Sequence, residues 1–330
     1  MKLTPLLRSI AVTAFASLIG ASFSVAQTPQ ASGPGTTKVL KWQDGKKACF
    51  MLAFDDGAPS QLKNVIPELD KRKIVGTFYL VTGNSLYAGL KPKWEAAVKS
   101  PYIVPANHTF THKGVMTVEE LEPELAKNNE VLLAYHPDRP KPRLLGFGKP
   151  GGVPWNVPKE ELAAALAKHD LVDRPPFWGP PMHYKSAAEL VAAVDKAIEK
   201  GEMGHADFHG VGADWLVTPI DWFTALLDKL EQHRDELWIT DCASWKKYTS
   251  ERETAEVKAL EAGSNRIRIS LTAKTDPTLY DEPLTLTTKV PASWKNCAVT
   301  QRQSKTSVSV KDGAVQYSAV PGAGEIILQP

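Results

Sequence analysis

The run Ala48-Cys49-Phe50-Met51-Leu52-Ala53-Phe54-Asp55-Asp56-Gly57 decides the fold class. Seven apolar residues in a row stop abruptly at two carboxylates and a glycine. An unbroken apolar run of strand length belongs to a strand buried on both faces, as in parallel sheets covered by helices. The polar stop marks the carboxyl end of that strand, where functional residues of such sheets collect.

Working outward, Ser60 to Lys71 carries Leu62, Val65, Ile66 and Leu69 at helical spacing, and Ile74 to Val81 (IVGTFYLV) reads as a second buried strand. Tyr102 to Asn107 is a third strand, followed by a helix over Val118 to Leu133 and a strand over Arg143 to Gly148. Helices follow at Lys159 to Lys168, Ser186 to Lys200 and Ile220 to His233, with short strands at Gly204 to His209 and Leu237 to Thr240. This is an α/β chain with a parallel sheet, and the pattern alone is compatible with a closed barrel or an open sheet.

Beyond Gly263 the period changes to two. Arg266 to Thr272, Leu284 to Lys289, Ala298 to Arg302, Thr306 to Val310, Ala314 to Tyr317 and Glu325 to Leu328 alternate apolar and polar residues, divided by turns such as Asp312-Gly313. Residues 263–330 therefore read as a small all-β, sandwich-like module after an α/β domain over residues 41–262. Packing against the α/β domain is its simplest role.

At the other end, Lys2 and Arg8 precede an apolar run, Ile10 to Ala21, and the small residues Ser24-Val25-Ala26. That order reads as a signal peptide over residues 1–26, and residues 27–40, rich in Gln, Ser, Thr, Gly and Pro, as a flexible leader. The expectation is a periplasmic or secreted protein with no membrane anchor once the signal is removed. A formal net charge of +2 offers no field for nucleic acid, so no such partner is expected. Cys49, Cys242 and Cys297 are too few for a disulfide framework, and no bridge is expected between Cys49 and Cys242.

Two polar groups stand at strand ends. One is Asp55-Asp56-Gly57; the other is Asn107-His108-Thr109-Phe110-Thr111-His112, with imidazoles four residues apart. A helical turn there would set both rings on one face. One carboxylate and two histidines suit a divalent ion such as zinc with positions left for water, and leave the second carboxylate free as a base. Either group alone has an ordinary explanation as a turn; together, one α/β unit apart, they point to a metal site. An aspartyl-nucleophile phosphatase would need carboxylates separated by one residue, which adjacent Asp55 and Asp56 are not.

The order FDDG (Phe54–Gly57), HTxxH (His108–His112), a PGG turn (Pro150–Gly152) and a late strand ending in His209 resembles the polysaccharide deacetylase family. This is the NodB-homology domain, or carbohydrate esterase family four, and the likeness spans roughly residues 45–250. The resemblance implies a distorted (β/α) barrel that removes acetyl groups from chitin, peptidoglycan or xylan with a divalent metal. Residue by residue, it implies Asp55 as general base, Asp56, His108 and His112 as metal ligands, and His209 as general acid. Thr109 matches the residue that stiffens the metal loop.

A backbone N–H near Gly151 would add an oxyanion donor, and Trp155, Trp178 and above all Trp215 are candidates to stack on sugar. The metal is expected to be zinc, with cobalt or nickel as substitutes, and the partner an acetylated polysaccharide or oligosaccharide. The family's third motif often begins with an Arg that orients the base. Alignment on the PGG turn sets Gly148 there, with Lys149 beside it as a conceivable substitute, so Asp55 is expected to lack its Arg. N-deacetylation is the leading activity; the alternatives are an O-acetyl esterase acting on acetylxylan-like glycans and a catalytically weak carbohydrate-binding relative.

Overall fold

The computed structural model describes residues 33–139 and 142–330. The expected signal peptide and the first part of the leader lie outside the described residues. In chain order the elements are β1 (Thr37–Val39), β2 (Ala48–Asp55), a π-helical turn over Gln61–Val65 running into α1 (Ile66–Arg72), β3 (Gly76–Leu80), α2 (Ser85–Ala97), β4 (Ile103–Asn107) and α3 (Val118–Ala134). They continue as β5 (Leu145–Phe147), α4 (Lys159–Lys168), β6 (Leu171–Asp173), α5 (Ala187–Lys200), β7 (Met203–Phe208), α6 (Ile220–Gln232), β8 (Leu237–Thr240) and α7 (Cys242–Thr254). Seven strands complete the chain: β9 (Glu256–Ala262), β10 (Ile267–Thr272), β11 (Leu284–Lys289), β12 (Asn296–Gln301), β13 (Ser304–Ser309), β14 (Ala314–Ala319) and β15 (Ile326–Gln329).

The first seven strands after β1 form one parallel sheet, ordered β6-β5-β4-β3-β2-β7, with β8 beside β2. Ala48–Met51 of β2 register with β8 and Ala53–Asp55 with β3, so these two strands share one edge of β2 in succession. Alternation along β2 sorts its side chains. Phe50, Leu52 and Phe54 join Phe78, Leu80 and Phe208 in the core between sheet and helices, while Met51 and Ala53 join Tyr79, Ala106 and Val172 on the inner face. Each fully buried apolar side chain of this kind contributes about 1.5–3 kcal/mol, so the run at 48–54 is a large part of what holds the sheet.

The sheet curls without closing. No strand pairing joins β6 to β7 among the described residues. The gap is spanned at the carboxyl end by the segment after β6, where the Asp207 N–H donates to the Trp178 carbonyl at 3.2 Å. Gly179 permits this approach, because a Cβ there would fall 1.6 Å from the Asp207 carbonyl oxygen. The fold is thus a distorted, incomplete barrel.

The remaining strands make two antiparallel sheets, β1-β11-β14 and β13-β12-β15-β10-β9. Ile267, Ile269, Leu271, Leu286, Tyr317 and Leu328 share one core with Cys49, Trp238, Tyr248 and Trp42. Cys49 and Trp238 lie near the starts of β2 and β8, so the module seats on the amino-terminal end of the sheet, opposite the strand ends.

Two expectations are corrected, and two elements are new. Thr37–Val39, within the presumed leader, is a strand paired with β11. The module also begins earlier than residue 263, since β9 pairs along β10. Three residues are too few to show a period, and β9 is a largely exposed, charged edge strand without clean alternation. Finally, α2 and β6 lack a sequence signal: Gly89 and Pro92 interrupt the first, and the second has three residues. Cys49, Cys242 and Cys297 are buried and free.

Candidate metal site and its carboxylate neighbours

Alternation carries Asp55 to the inner face after Met51 and Ala53, and it is buried. Asp56 (φ 70°) and Gly57 (φ 68°) then turn the chain in left-handed backbone, which Asp tolerates better than most residues. In β4 the same alternation takes Ala106 and then His108 inward. The loop that follows is not a helical turn, contrary to the expectation for two histidines four apart. Thr109 (φ 61°) and His112 (φ 60°) are both left-handed, and the rings converge through that loop.

Four hydrogen bonds hold the loop. Asn107 Oδ1 accepts from the Thr109 N–H at 2.8 Å, and Thr109 Oγ1 accepts from the His112 N–H at 3.2 Å. From α3, Glu124 accepts from both the N–H and the hydroxyl of Thr111 at 2.7 and 3.0 Å.

Asp56, His108 and His112 are brought together, with ligand atoms all within 4.8 Å of one another. His108 Nε2 and His112 Nε2 each lie 3.3 Å from Asp56 Oδ1. The Gly148 carbonyl lies 2.7 Å from His108 Nδ1, and a carbonyl only accepts, so the proton sits on Nδ1 and the Nε2 lone pair faces the carboxylate. Asp56 Oδ1 is buried with no hydrogen-bond donor among the described residues. Lone pairs facing one another in a buried place are costly unless a cation lies between them. A carboxylate and two imidazoles fit zinc or another borderline divalent ion. Burial, then His108, lowers the pKa of His112, which keeps its ring neutral and its lone pair free.

Asp55 does have an arginine. Arg174 Nη1 donates to Asp55 Oδ1 at 2.9 Å and Nη2 donates to Oδ2 at 2.7 Å, a buried bidentate pair. This corrects the expectation from Gly148. The guanidinium comes from the end of β6, one strand further along the sheet, and lies over the Tyr79 ring at 4.6 Å. A Cβ on Gly148 would stand 2.9 Å from Tyr79 Cδ1 and 3.0 Å from Arg174 Nε, so the bare glycine makes the room. Lys149, the conceivable substitute, lies instead over the Trp155 ring at 5.2 Å.

His209 Nε2 is 4.0 Å from Asp55 Oδ2 and 3.8 Å from Asp56 Oδ2, and Phe177 packs beside the ring at 5.1 Å. Its Nδ1 is buried and has no hydrogen-bond partner among the described residues. Burial lowers its pKa against the pull of Asp55 and Asp56, leaving the ring neutral at rest. Gln61 ties the two strand ends together, its Nε2 donating to the carbonyls of Asp55 (2.6 Å) and His209 (3.0 Å).

Trp215 Nε1–H donates to Asp56 Oδ2 at 2.6 Å while the ring stays 40% exposed, so it flanks the metal group directly. Gly151 is exposed and lines a cavity of about 440 Å³ with Arg174 and Phe177, without any of the three metal-group residues. Asp214 accepts from the Ser60 N–H at 2.7 Å and so serves the turn into the first helix, not a histidine. Trp178 is half exposed and stacks on His183 at 4.1 Å.

Two functional-looking residues escape sequence reading, Arg174 and Asp207. Their signal was an Arg at the end of a short apolar run, Leu171-Val172-Asp173-Arg174, and an Asp alternating with His209 along one strand.

Residues 43–167 match a family model described as polysaccharide deacetylase. A gellan lyase of a Bacillus species is 28% identical over 109 residues, 32% of this chain but only 4% of that protein. A family 4 carbohydrate esterase from Streptomyces lividans, solved with acetate, is 16% identical with a TM-score of 0.42 over 58% of this chain and 91% of that one. A peptidoglycan deacetylase from Bacillus subtilis is 14% identical with a TM-score of 0.43 over 62% of this chain and 93% of the other. A pseudoenzyme of the same esterase family from Bacillus anthracis is 15% identical with a TM-score of 0.43 over 58% of this chain and 63% of its own.

Proposed function

From the premise that this chain is a member of the polysaccharide deacetylase family, matched over residues 43–167, we propose that it is a metal-dependent hydrolase removing acetyl groups, chiefly N-acetyl, from a chitin-like or peptidoglycan glycan. The observation that carries the reading is one juxtaposition: a buried base carboxylate clamped by Arg174 beside a cluster of three acceptors that wants a cation.

Asp56, His108 and His112 would hold zinc, or cobalt or nickel in its place, and the ion would supply Lewis acidity, acidifying water and stabilising negative charge on a carbonyl oxygen. Asp55 takes the proton from the attacking water. Arg174 holds both Asp55 oxygens in place, so the base does not rotate away from its task. His209, once protonated from bulk water, gives that proton to the departing nitrogen as the carbon–nitrogen bond breaks, and Asp55 afterwards releases the proton it took from the attacking water to solvent. Trp215 keeps Asp56 oriented and offers its exposed ring to a sugar face. The apolar run Ile10 to Ala21 supports export, so the glycan is one met outside the cytoplasm.

The test is acetate release by the purified full chain, with zinc, cobalt or nickel added, from a chitooligosaccharide and an acetylated xylan side by side. Release from the first carries the N-deacetylase reading, and release from the second alone makes the protein an O-acetyl esterase. No release from either, or unchanged metal content in Asp56→Ala and His112→Ala, defeats the proposal.

A further inference from the structure

Asp207 has no part in the roles given so far, yet it is 1% exposed and lies on the inner face of β7, two residues before His209. Its oxygens have separate partners. Oδ1 accepts from Arg174 Nη1 at 3.0 Å. Oδ2 accepts from the Trp178 N–H at 2.6 Å and lies 3.3 Å from His205 Nε2. The same Nη1 donates to Asp55 Oδ1 at 2.9 Å, so one guanidinium nitrogen is shared between two buried carboxylates.

Resting on the hydrolase reading, we propose that Asp207 is a positioning residue for Asp55: acting through Arg174, its charge sets how strongly the guanidinium holds that base. Arg174 reaches the site from the edge strand β6, across the gap where the barrel does not close. Asp207 anchors it from the opposite edge, and the Trp178 contacts fix the same segment. A charged Asp207 shares Arg174 Nη1 with Asp55 and holds the guanidinium between β2 and β7, which fixes where the two Asp55 oxygens point. A neutral Asp207 holds Arg174 less firmly, and the base loses its fixed orientation.

The groups facing Asp207 make it the switch. They are Arg174 at the end of β6, Asp55 on β2, Tyr79 on β3, Tyr184 ahead of α5, and His205 on its own strand. Burial raises both tyrosines, and it lowers His205, so these three are neutral at neutral pH. Burial, and the charge of Asp55, push Asp207 up to about 7 against the pull of Arg174.

The experiment compares the zinc-loaded full chain with Asp207→Asn from pH 5.5 to 8.5 by acetate release, with zinc binding measured in parallel. A merely structural role would disturb zinc binding and KM. The expected result is unchanged zinc affinity and KM, with kcat at pH 8 reduced about tenfold, the range carried by outer partners of a site. The rise of wild-type kcat through neutral pH should also vanish, and Asp207→Glu should restore it. A variant that keeps wild-type kcat and its rise overturns the proposal. Carbon-13 titration of the aspartate carboxyls in the wild-type chain needs no variant and no turnover. An inner-face aspartate titrating near neutrality, displaced by Arg174→Lys, supports the coupling even if no acetate is released and the hydrolase reading falls. The absence of such a titration overturns the coupling even if acetate is released.

Discussion

Removing the guanidinium tests the buried centre most severely. Arg174→Ala leaves Asp55 and Asp207, 2% and 1% exposed, with no cation between them. Breaking a buried ion pair by deleting one partner costs about 3–5 kcal/mol, because the remaining charge is stranded. Two anions are stranded here, so the loss belongs at the upper end of that range at alkaline pH. For a chain of this size, with an unfolding entropy of about 2.1 cal/mol/K per residue, it corresponds to a fall in melting temperature of about 5–7 °C. The pH dependence has a definite sign. The folded pKa of Asp207 is already raised to about 7 from an ordinary value near 3.8, so the folded state holds its proton while the unfolded state releases it. Such a group subtracts stability as pH climbs from about 4 to about 7. Without Arg174 the folded value rises further and the loss extends to higher pH. The assay is thermal unfolding of the wild type and Arg174→Ala at pH 5 and pH 8.5, where the gap between the two should be several-fold larger at the higher pH. A variant that melts within a degree or two of the wild type at pH 8.5 would refute the claim that Arg174 neutralises buried charge.

Two further expectations concern other parts of the molecule. Trp215→Phe keeps an aromatic face but removes the N–H that orients Asp56 Oδ2, and zinc affinity measured by competition with a chelator should fall about 10–100-fold; unchanged affinity would mean that the contact does not orient the ligand. Glu251 on α7 is buried, its Oε1 has no partner among the described residues, and its pKa is pushed up to about 8, chiefly by burial and also by Glu282 and Asp281. A raised carboxyl subtracts stability as pH rises from about 4.5 to about 8, so Glu251→Gln should add about 1–3 kcal/mol at pH 8 and nothing near pH 4 in urea titrations. An equal effect at both pH values would show that charge is not the cause.

The sequence by itself determined the parts that depend on local pattern. An apolar run of strand length needs cover on both faces, so residues 48–54 imply a parallel sheet wherever the other strands fall. The polar stop at Asp55-Asp56 and the pair His108 and His112 are legible because they sit directly on strand ends, and neighbours in sequence stay neighbours at a turn. The tertiary structure alone decided how the base is held. Arg174 follows a strand of three residues, too short to show a period, and it stands 119 positions from Asp55. Which of two adjacent strands delivers a guanidinium is a matter of inner-face volume, and here the missing side chain at Gly148 admits one from next door. The barrel's open seam, bridged by Trp178 and Asp207, was equally invisible, because a gap between the first and last strands of a curled sheet leaves no mark on either. Asp55 therefore keeps its arginine, drawn from a strand that local pattern could not see.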